Sequence, residues 1–130
     1  MHADELEWVT IGQRFAVALT KDVAKSFKNA NAKARGRITR NMEIFAIEGR
    51  LGLPSGAIRH EGSFPMGGRK GGKCPILAFR GRQVRIYGST ATIEDRSVFI
   101  GTEIDLTKKS DAADQALLKR AAHKFGELTR

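Results

Sequence analysis

A chain of 130 residues suffices for one compact domain with its own core and is too short for two. Apolar residues make up 41% and charged residues 28%, the balance of a soluble globular protein, and no apolar run is long enough to span a membrane. Lys and Arg number 23 against 14 acids, so the net charge of +9 points to a polyanionic partner: nucleic acid, an anionic membrane or a small acidic protein.

The opening MHADELEWVT is acidic and lacks the basic-then-apolar order of a signal peptide, which predicts a cytoplasmic protein. Trp8 to Ile11 reads as a short strand. Phe15, Leu19, Val23 and Phe27 then recur every four residues, which predicts a helix over Gln13–Asn29. After the break Asn29–Asn31, the positions Ala34, Ile38, Met42 and Phe45 predict a second helix that stops at Gly49, with Lys33, Arg35, Arg37 and Arg40 on its other face. The pair is expected to form an N-terminal helical hairpin.

Residues 61–73, EGSFPMGGRKGGK, hold five glycines and read as a mobile loop. CPILAFRGRQVRIYG follows. Gly81-Arg82 between two alternating runs predicts a two-residue hairpin turn that pairs Arg80 with Gln83, Phe79 with Val84 and Ala78 with Arg85. Leu77, Phe79, Val84 and Ile86 then share an apolar face, and Arg80, Gln83, Arg85 and Tyr87 lie on the opposite, solvent face. A third strand runs through SVFIGTEIDL, with Val98, Ile100, Ile104 and Leu106 alternating against Phe99, Glu103 and Asp105. Ser110 or Asp111 is expected to cap a last helix whose apolar face is Leu117, Leu118, Ala121, Ala122, Phe125 and Leu128. The expected fold is a single α+β domain over residues 1–130: an N-terminal helical hairpin and a C-terminal helix packed on a small twisted antiparallel sheet.

Other motifs carry less. GGRKGGKC places Gly67, Gly72 and Lys73 as in a phosphate-binding loop, but Cys74 stands where a Ser or Thr would hold magnesium, and Pro75 and a strand follow where a helix must begin. A basic loop touching a nucleic-acid backbone through Arg69, Lys70 and Lys73 is the better reading. His2, His60 and His123 lack metal-ligand spacing, so no metal and no small-molecule cofactor is expected. The lone Cys74 permits no internal disulfide, fits a reducing compartment and reads as a small apolar residue. Glu103 and Asp105 share a strand face and offer ion pairs to Arg80 or Arg85.

ILAFRGRQVRIYG, a further strand, and LTKKSDAADQALLKRAAHKF resemble the RelE/HigB superfamily of type II toxin–antitoxin toxins, in its phage-derived HigB-like branch. The resemblance covers about residues 13–128. It implies a RelE-like fold and a metal-independent endoribonuclease that cuts messenger RNA on the ribosome, arrests translation and is neutralised by a cognate antitoxin. Arg80 and Arg85 match the family's phosphate-binding arginines, and Lys108 or Lys109 its basic residue after the last strand. Lys73 and Gln83, with Arg69 and Lys70, are the expected further RNA contacts. Tyr87 and His60 are the nearest acid–base candidates, with Glu103 and Asp105 behind them. Ile104 and Leu106 stand where the branch often has His and Phe, and no Tyr or His occurs from Asp111 to Ala116. Two other classes stay open: a ParE-like inhibitor of DNA gyrase, and a non-enzymatic RNA- or ribosome-binding domain.

Overall fold

A computed structural model describes residues 5–68, 71–107 and 114–129. The chain opens with a β-hairpin, not with helices. β1 (Leu6–Ile11) turns back into β2 (Phe15–Thr20); α1 (Lys21–Phe27) and α2 (Ala32–Glu48) follow. After a single 3-10 turn at Arg50–Gly52, β3 (Ile58–Pro65), β4 (Lys73–Gly81), β5 (Val84–Ile93) and β6 (Arg96–Asp105) form an antiparallel meander, and α3 (Gln115–Thr129) closes the fold. The six strands make one sheet in the order β1-β2-β6-β5-β4-β3. β2 and β6 run parallel and every other pair is antiparallel. The α+β class holds. The expected helical hairpin at the N-terminus and the purely antiparallel sheet do not, and with them goes the RelE-like arrangement.

The helix expected from Gln13 is a strand up to Thr20, for a definable reason. Residues four apart share a face in a helix and also in a strand, so the Phe15–Leu19 spacing fits both. The deciding feature is the run between them. Ala16–Leu19 are all buried, as a central strand covered on both faces requires. Val17 and Leu19 enter one core; Ala16 and Ala18 enter the other. Only Val23 and Phe27 belong to a helix, α1, where they are buried with Ala24. The break at Asn29–Asn31 is real: the Asn31 side chain caps α2, accepting from the backbone N–H of Lys33 (3.0 Å) and Ala34 (3.2 Å). At the other end Gly49, at φ +71°, donates its N–H to the Phe45 carbonyl at 2.8 Å.

The sheet has no solvent face of the kind expected. α1 and α2 cover Val17, Leu19, Leu77, Phe79, Val84, Ile86 and Phe99. α3 covers the opposite face, packing Leu118, Ala121, Ala122, Phe125 and Leu128 on Ile76, Ala78, Tyr87, Val98 and Ile100. Through the first core run edge-to-face aromatic contacts: Phe15–Phe45 at 5.7 Å, Phe45–Phe79 at 5.8 Å and Phe79–Phe99 at 4.9 Å between ring centroids. They tie β2, α2, β4 and β6 together.

The β4–β5 hairpin is displaced from its expected register. Arg80 pairs with Arg85, Phe79 with Ile86 and Gly81 with Val84, so the turn residues are Arg82 and Gln83, with Arg82 at φ +50°. Gly81 is needed elsewhere: a Cβ there would lie 2.8 Å from Ile38 Cγ1 of α2. The offset is two residues along the partner strand, which leaves the side chains of β4 and β5 on their expected faces and moves Gln83 off the face into the turn. The expected loop at residues 61–73 is strand β3 as far as Pro65.

Two bulges set the phase of the flanking strands. In β3 the pairing skips from His60 to Gly62 and leaves Glu61 unpaired. In β6 it skips from Gly101 to Glu103, opposite Gly88 and Tyr87, and leaves Thr102 out. Val98 and Ile100 therefore face α3, whereas Ile104 packs with Phe99 on the α1/α2 side. A single uninterrupted alternation through SVFIGTEIDL does not exist. Among the described residues no helix is long and apolar enough to cross a membrane.

The β6 bulge demands a glycine on β5. A Cβ at Gly88 would run into the Ile100 carbonyl and lie 2.9 Å from Gly101 Cα. Gly88→Ala is expected to cost about 1–3 kcal/mol of stability, the range for overpacking in a closed core. A lowered urea midpoint at unchanged slope will report it; a change within about 0.5 kcal/mol would mean that the strands separate there at little cost.

Candidate anion-binding site at the end of the sheet

α3 covers the middle of its sheet face and leaves one end charged. In one row across the strands stand Arg59, Ala78, Tyr87 and Glu103; in the next, Arg80, Arg85 and Asp105. Asp114 caps α3, its carboxylate accepting from the backbone N–H of Ala116 at 2.9 Å and of Leu117 at 3.4 Å.

Arg80 and Arg85 are direct cross-strand partners, about 5 Å apart between Cβ atoms by the geometry of such pairs. They differ in freedom. Arg85 is only 8% exposed. Its Nη1 donates to the carbonyls of Arg82 (2.6 Å) and Val84 (2.9 Å), which ties the guanidinium to the turn. Arg80 is half-buried and has no carboxylate partner among the described residues. Burial lowers the Arg85 pKa, and the Arg80 cation lowers it further; Tyr87, Glu61 and Asp105 pull it the other way. Like charges directly opposite destabilise a sheet, and Asp105, which pairs with Arg85 from β6, and Glu61 act against that repulsion.

Tyr87 lies behind the arginines and is fully buried. Its hydroxyl has no hydrogen-bond partner among the described residues. Burial pushes its pKa up to about 12; Asp105 and Glu61 push the same way and Arg85 opposes. The Glu61 carboxylate has moved in beside this group because of the β3 bulge. Its side chain is 7% exposed and pairs with Arg59 at 3.3 Å. Nothing in the sequence signalled Glu61, since its stretch reads as a glycine-rich loop; the one usable cue was the alternation of AIRHEGSF before the first glycine pair. Of the expected acidic partners, Asp105 stands opposite Arg85. Glu103 is committed to α3, at 2.9 Å from Lys124 Nζ and 3.6 Å from Arg120 Nε.

The other expected site residues separate. His60 pairs with Leu77 and so faces the α2 side, where it lines a groove with Phe15, Phe45, Arg50 and Thr90. The thickness of the sheet stands between it and the arginines. Lys73 begins β4, seven positions before Arg80 and about 23 Å away along an extended strand, so it is no neighbour of the arginine pair. Gln83 is exposed on the turn rather than on the sheet face. Arg69, Lys70, Lys108, Lys109 and the expected caps Ser110 and Asp111 lie outside the described residues. Among the described residues no group of three or more His, Cys, Asp or Glu side chains gathers into a metal site.

Comparison with known protein families, with curated proteins and with solved structures finds no match to this chain.

Tyr87 is the chain's only tyrosine, which makes two outcomes directly readable. Tyrosinate absorbance of the folded protein is expected to rise with a midpoint near 12, against about 10 for the unfolded chain. The raised folded pKa means that stability from this group is complete below about pH 10 and falls as pH rises through 12. Tyr87→Phe removes an unpartnered buried hydroxyl and is expected to raise stability by about 1 kcal/mol; a loss of that size would mean the hydroxyl is held by a partner.

Proposed function

We propose that the protein is an RNA-directed toxin of the RelE/HigB kind: a metal-independent endoribonuclease that cuts messenger RNA on the ribosome and is held in check by a cognate antitoxin. The observation that carries this reading is the Arg80–Arg85 pair, two like charges kept side by side at a partly buried sheet end where stability argues against them. A phosphodiester would neutralise the pair, and its pentavalent transition state, carrying an added negative charge, would bind more tightly still. The short motifs around these arginines support the toxin kind, and the net charge of +9 supports the nucleic-acid partner.

Cleavage without a metal uses the RNA's own 2′-hydroxyl. That oxygen attacks the adjacent phosphorus, its proton leaves to a base, the bond from phosphorus to the 5′-oxygen breaks, and that oxygen takes up a proton from water, giving a 2′,3′-cyclic phosphate and a free 5′-hydroxyl. Arg80 and Arg85 stabilise the charge on the non-bridging oxygens. The proton-transfer roles expected of Tyr87 and His60 are withdrawn. A buried phenol held near pKa 12 is a poor base at neutral pH, and His60 is on the other side of the sheet. Glu61 takes the base's role here, as the carboxylate beside the arginines that the β3 bulge supplies.

A second reading is a non-enzymatic RNA- or ribosome-binding domain. It is favoured by the separation of His60 from the arginines and the sealing of Tyr87, which together remove both expected proton-transfer groups.

Inducible expression with mapping of messenger-RNA 5′ ends separates these readings. Cuts within translated frames are expected together with growth arrest. Arg80→Ala is the cleaner arginine probe, because Arg85→Ala would also take two hydrogen bonds from the turn; it should abolish arrest with the fold intact. Glu61→Gln should lower cleavage by about 100-fold or more, the usual contribution of a general base, and leave RNA affinity within about twofold. Growth arrest with intact messages would overturn the endoribonuclease, and trapped gyrase in the same cells would place the protein with the gyrase inhibitors.

A further inference from the structure

We infer that a second phosphate-binding subsite lies on the α2 side of Arg80, in the cleft between the middle of α2 and the Pro54–Ala57 turn, and that it holds the RNA strand next to the Arg80–Arg85 pair. The inference rests on the RNA reading above and adds the path of the strand to it. The cleft has a volume of about 350 Å³, within the range of small-ligand sites. Arg37, Arg40 and Asn41 of α2 line one wall, residues 54–57 the other, and Arg80 closes the end.

The charges in it are uncompensated. No carboxylate lines the cleft. Arg37, Arg40 and Arg80 form no ion pair among the described residues, whereas Arg59 and Arg120 each face a glutamate. Other arginines are tied down by backbone carbonyls: Arg35 by Lys28 and Ala30, Arg96 by Gly12. Arg37 and Arg40 are three apart and so share one face of α2. Between them and the sheet, Asn41 is only 7% exposed. It is one of the residues that line the cleft, and its amide makes no side-chain hydrogen bond to a described residue. Its N–H groups can donate to a phosphate oxygen and its carbonyl can accept from a ribose hydroxyl.

The walls are fixed to each other. The Arg80 N–H donates to the Ala57 carbonyl at 3.0 Å, and the Ala57 N–H to the Pro54 carbonyl at 3.1 Å, so the turn is fastened to the end of β4. Arg80 thus belongs to both places: it opposes Arg85 on the sheet and closes the cleft under α2. A strand whose scissile phosphate sits at Arg80 and Arg85 would place a neighbouring phosphate against Arg37 and Arg40.

The test is the affinity of a labelled, 2′-O-methylated single-stranded RNA, which cannot be cut, followed by anisotropy over a series of salt concentrations. Arg37→Ala/Arg40→Ala is expected to weaken binding about tenfold and to flatten the log–log salt dependence by about 1.4, two phosphates at about 0.7 each for a single strand. Both side chains are exposed, so the fold should be kept, and circular dichroism checks that. Lys25→Ala/Lys119→Ala removes the same charge from exposed positions on α1 and α3 and should stay within about twofold of the unaltered protein. If the α2 double variant behaves like that control while Arg80→Ala weakens binding, the subsite is wrong and the RNA reading stands. If the unaltered protein binds the RNA neither free nor presented on a ribosome, both fall. If the α2 variant keeps its RNA affinity but loses binding to poly-glutamate, the cleft serves an acidic protein and the inference is overturned.

Discussion

The parallel pairing of β2 with β6 is the constraint from which the rest of the molecule follows. It seats a strand made early in the chain beside the last one made, in the interior of a six-stranded sheet. The run Ala16–Leu19 of β2 is buried on both faces, so both faces are covered. α1 and α2 leave β2 directly and cover one; α3 leaves the end of β6 and covers the other. The contacts that hold this arrangement are long-range in sequence, and the aromatic series from Phe15 through Phe45 and Phe79 to Phe99 joins β2, α2, β4 and β6 within the first core. Such a fold carries a high loop-closure cost before its core forms.

Covering both faces also decides where chemistry can occur. Polar groups can keep access to water only at the sheet's edges and ends. The arginines, Asp105 and the capping Asp114 stand toward one such end. The two bulges are part of the same design. Thr102, freed from pairing, donates its hydroxyl to the Ala121 carbonyl at 2.8 Å and fastens β6 to α3. Glu61, freed in the same way on β3, is brought in beside the arginines. Bulges that flank a charged site re-aim side chains that regular pleating would send to the opposite face.

Much of this was legible in the residues. The faces of β4 and β5 followed from alternation alone, and they survived a wrong turn assignment because a displacement of two residues preserves them. The buried stripe of α3 from Leu118 to Leu128 and the extent of α2 were equally plain in the four-residue periodicity. Three features were hidden, each for a physical reason. FAVALT has a spacing that satisfies helix and strand together, and only its unbroken burial separates them. The α3 layer over Tyr87 was not deducible, because a tyrosine beside an arginine reads as exposed until the helix that covers it is placed. The bulges at Glu61 and Thr102 shift the alternation by one residue without any local mark, and so the carboxylate next to the arginines and the true orientation of β6 escaped notice.

The arginine pair joins these threads. Consistent local choices make a fold stable, and places where local physics is violated are where function is found. Arg80 opposite Arg85 violates cross-strand charge pairing, and the buried Tyr87 hydroxyl violates hydrogen-bond satisfaction, in adjacent rows of the same strands. The two arginines are also unequal in a useful way. Arg85 is fixed by two carbonyls, whereas Arg80 is half-buried, has no carboxylate partner among the described residues and also lines the cleft beside α2. A rigid cation fixes where an anion sits.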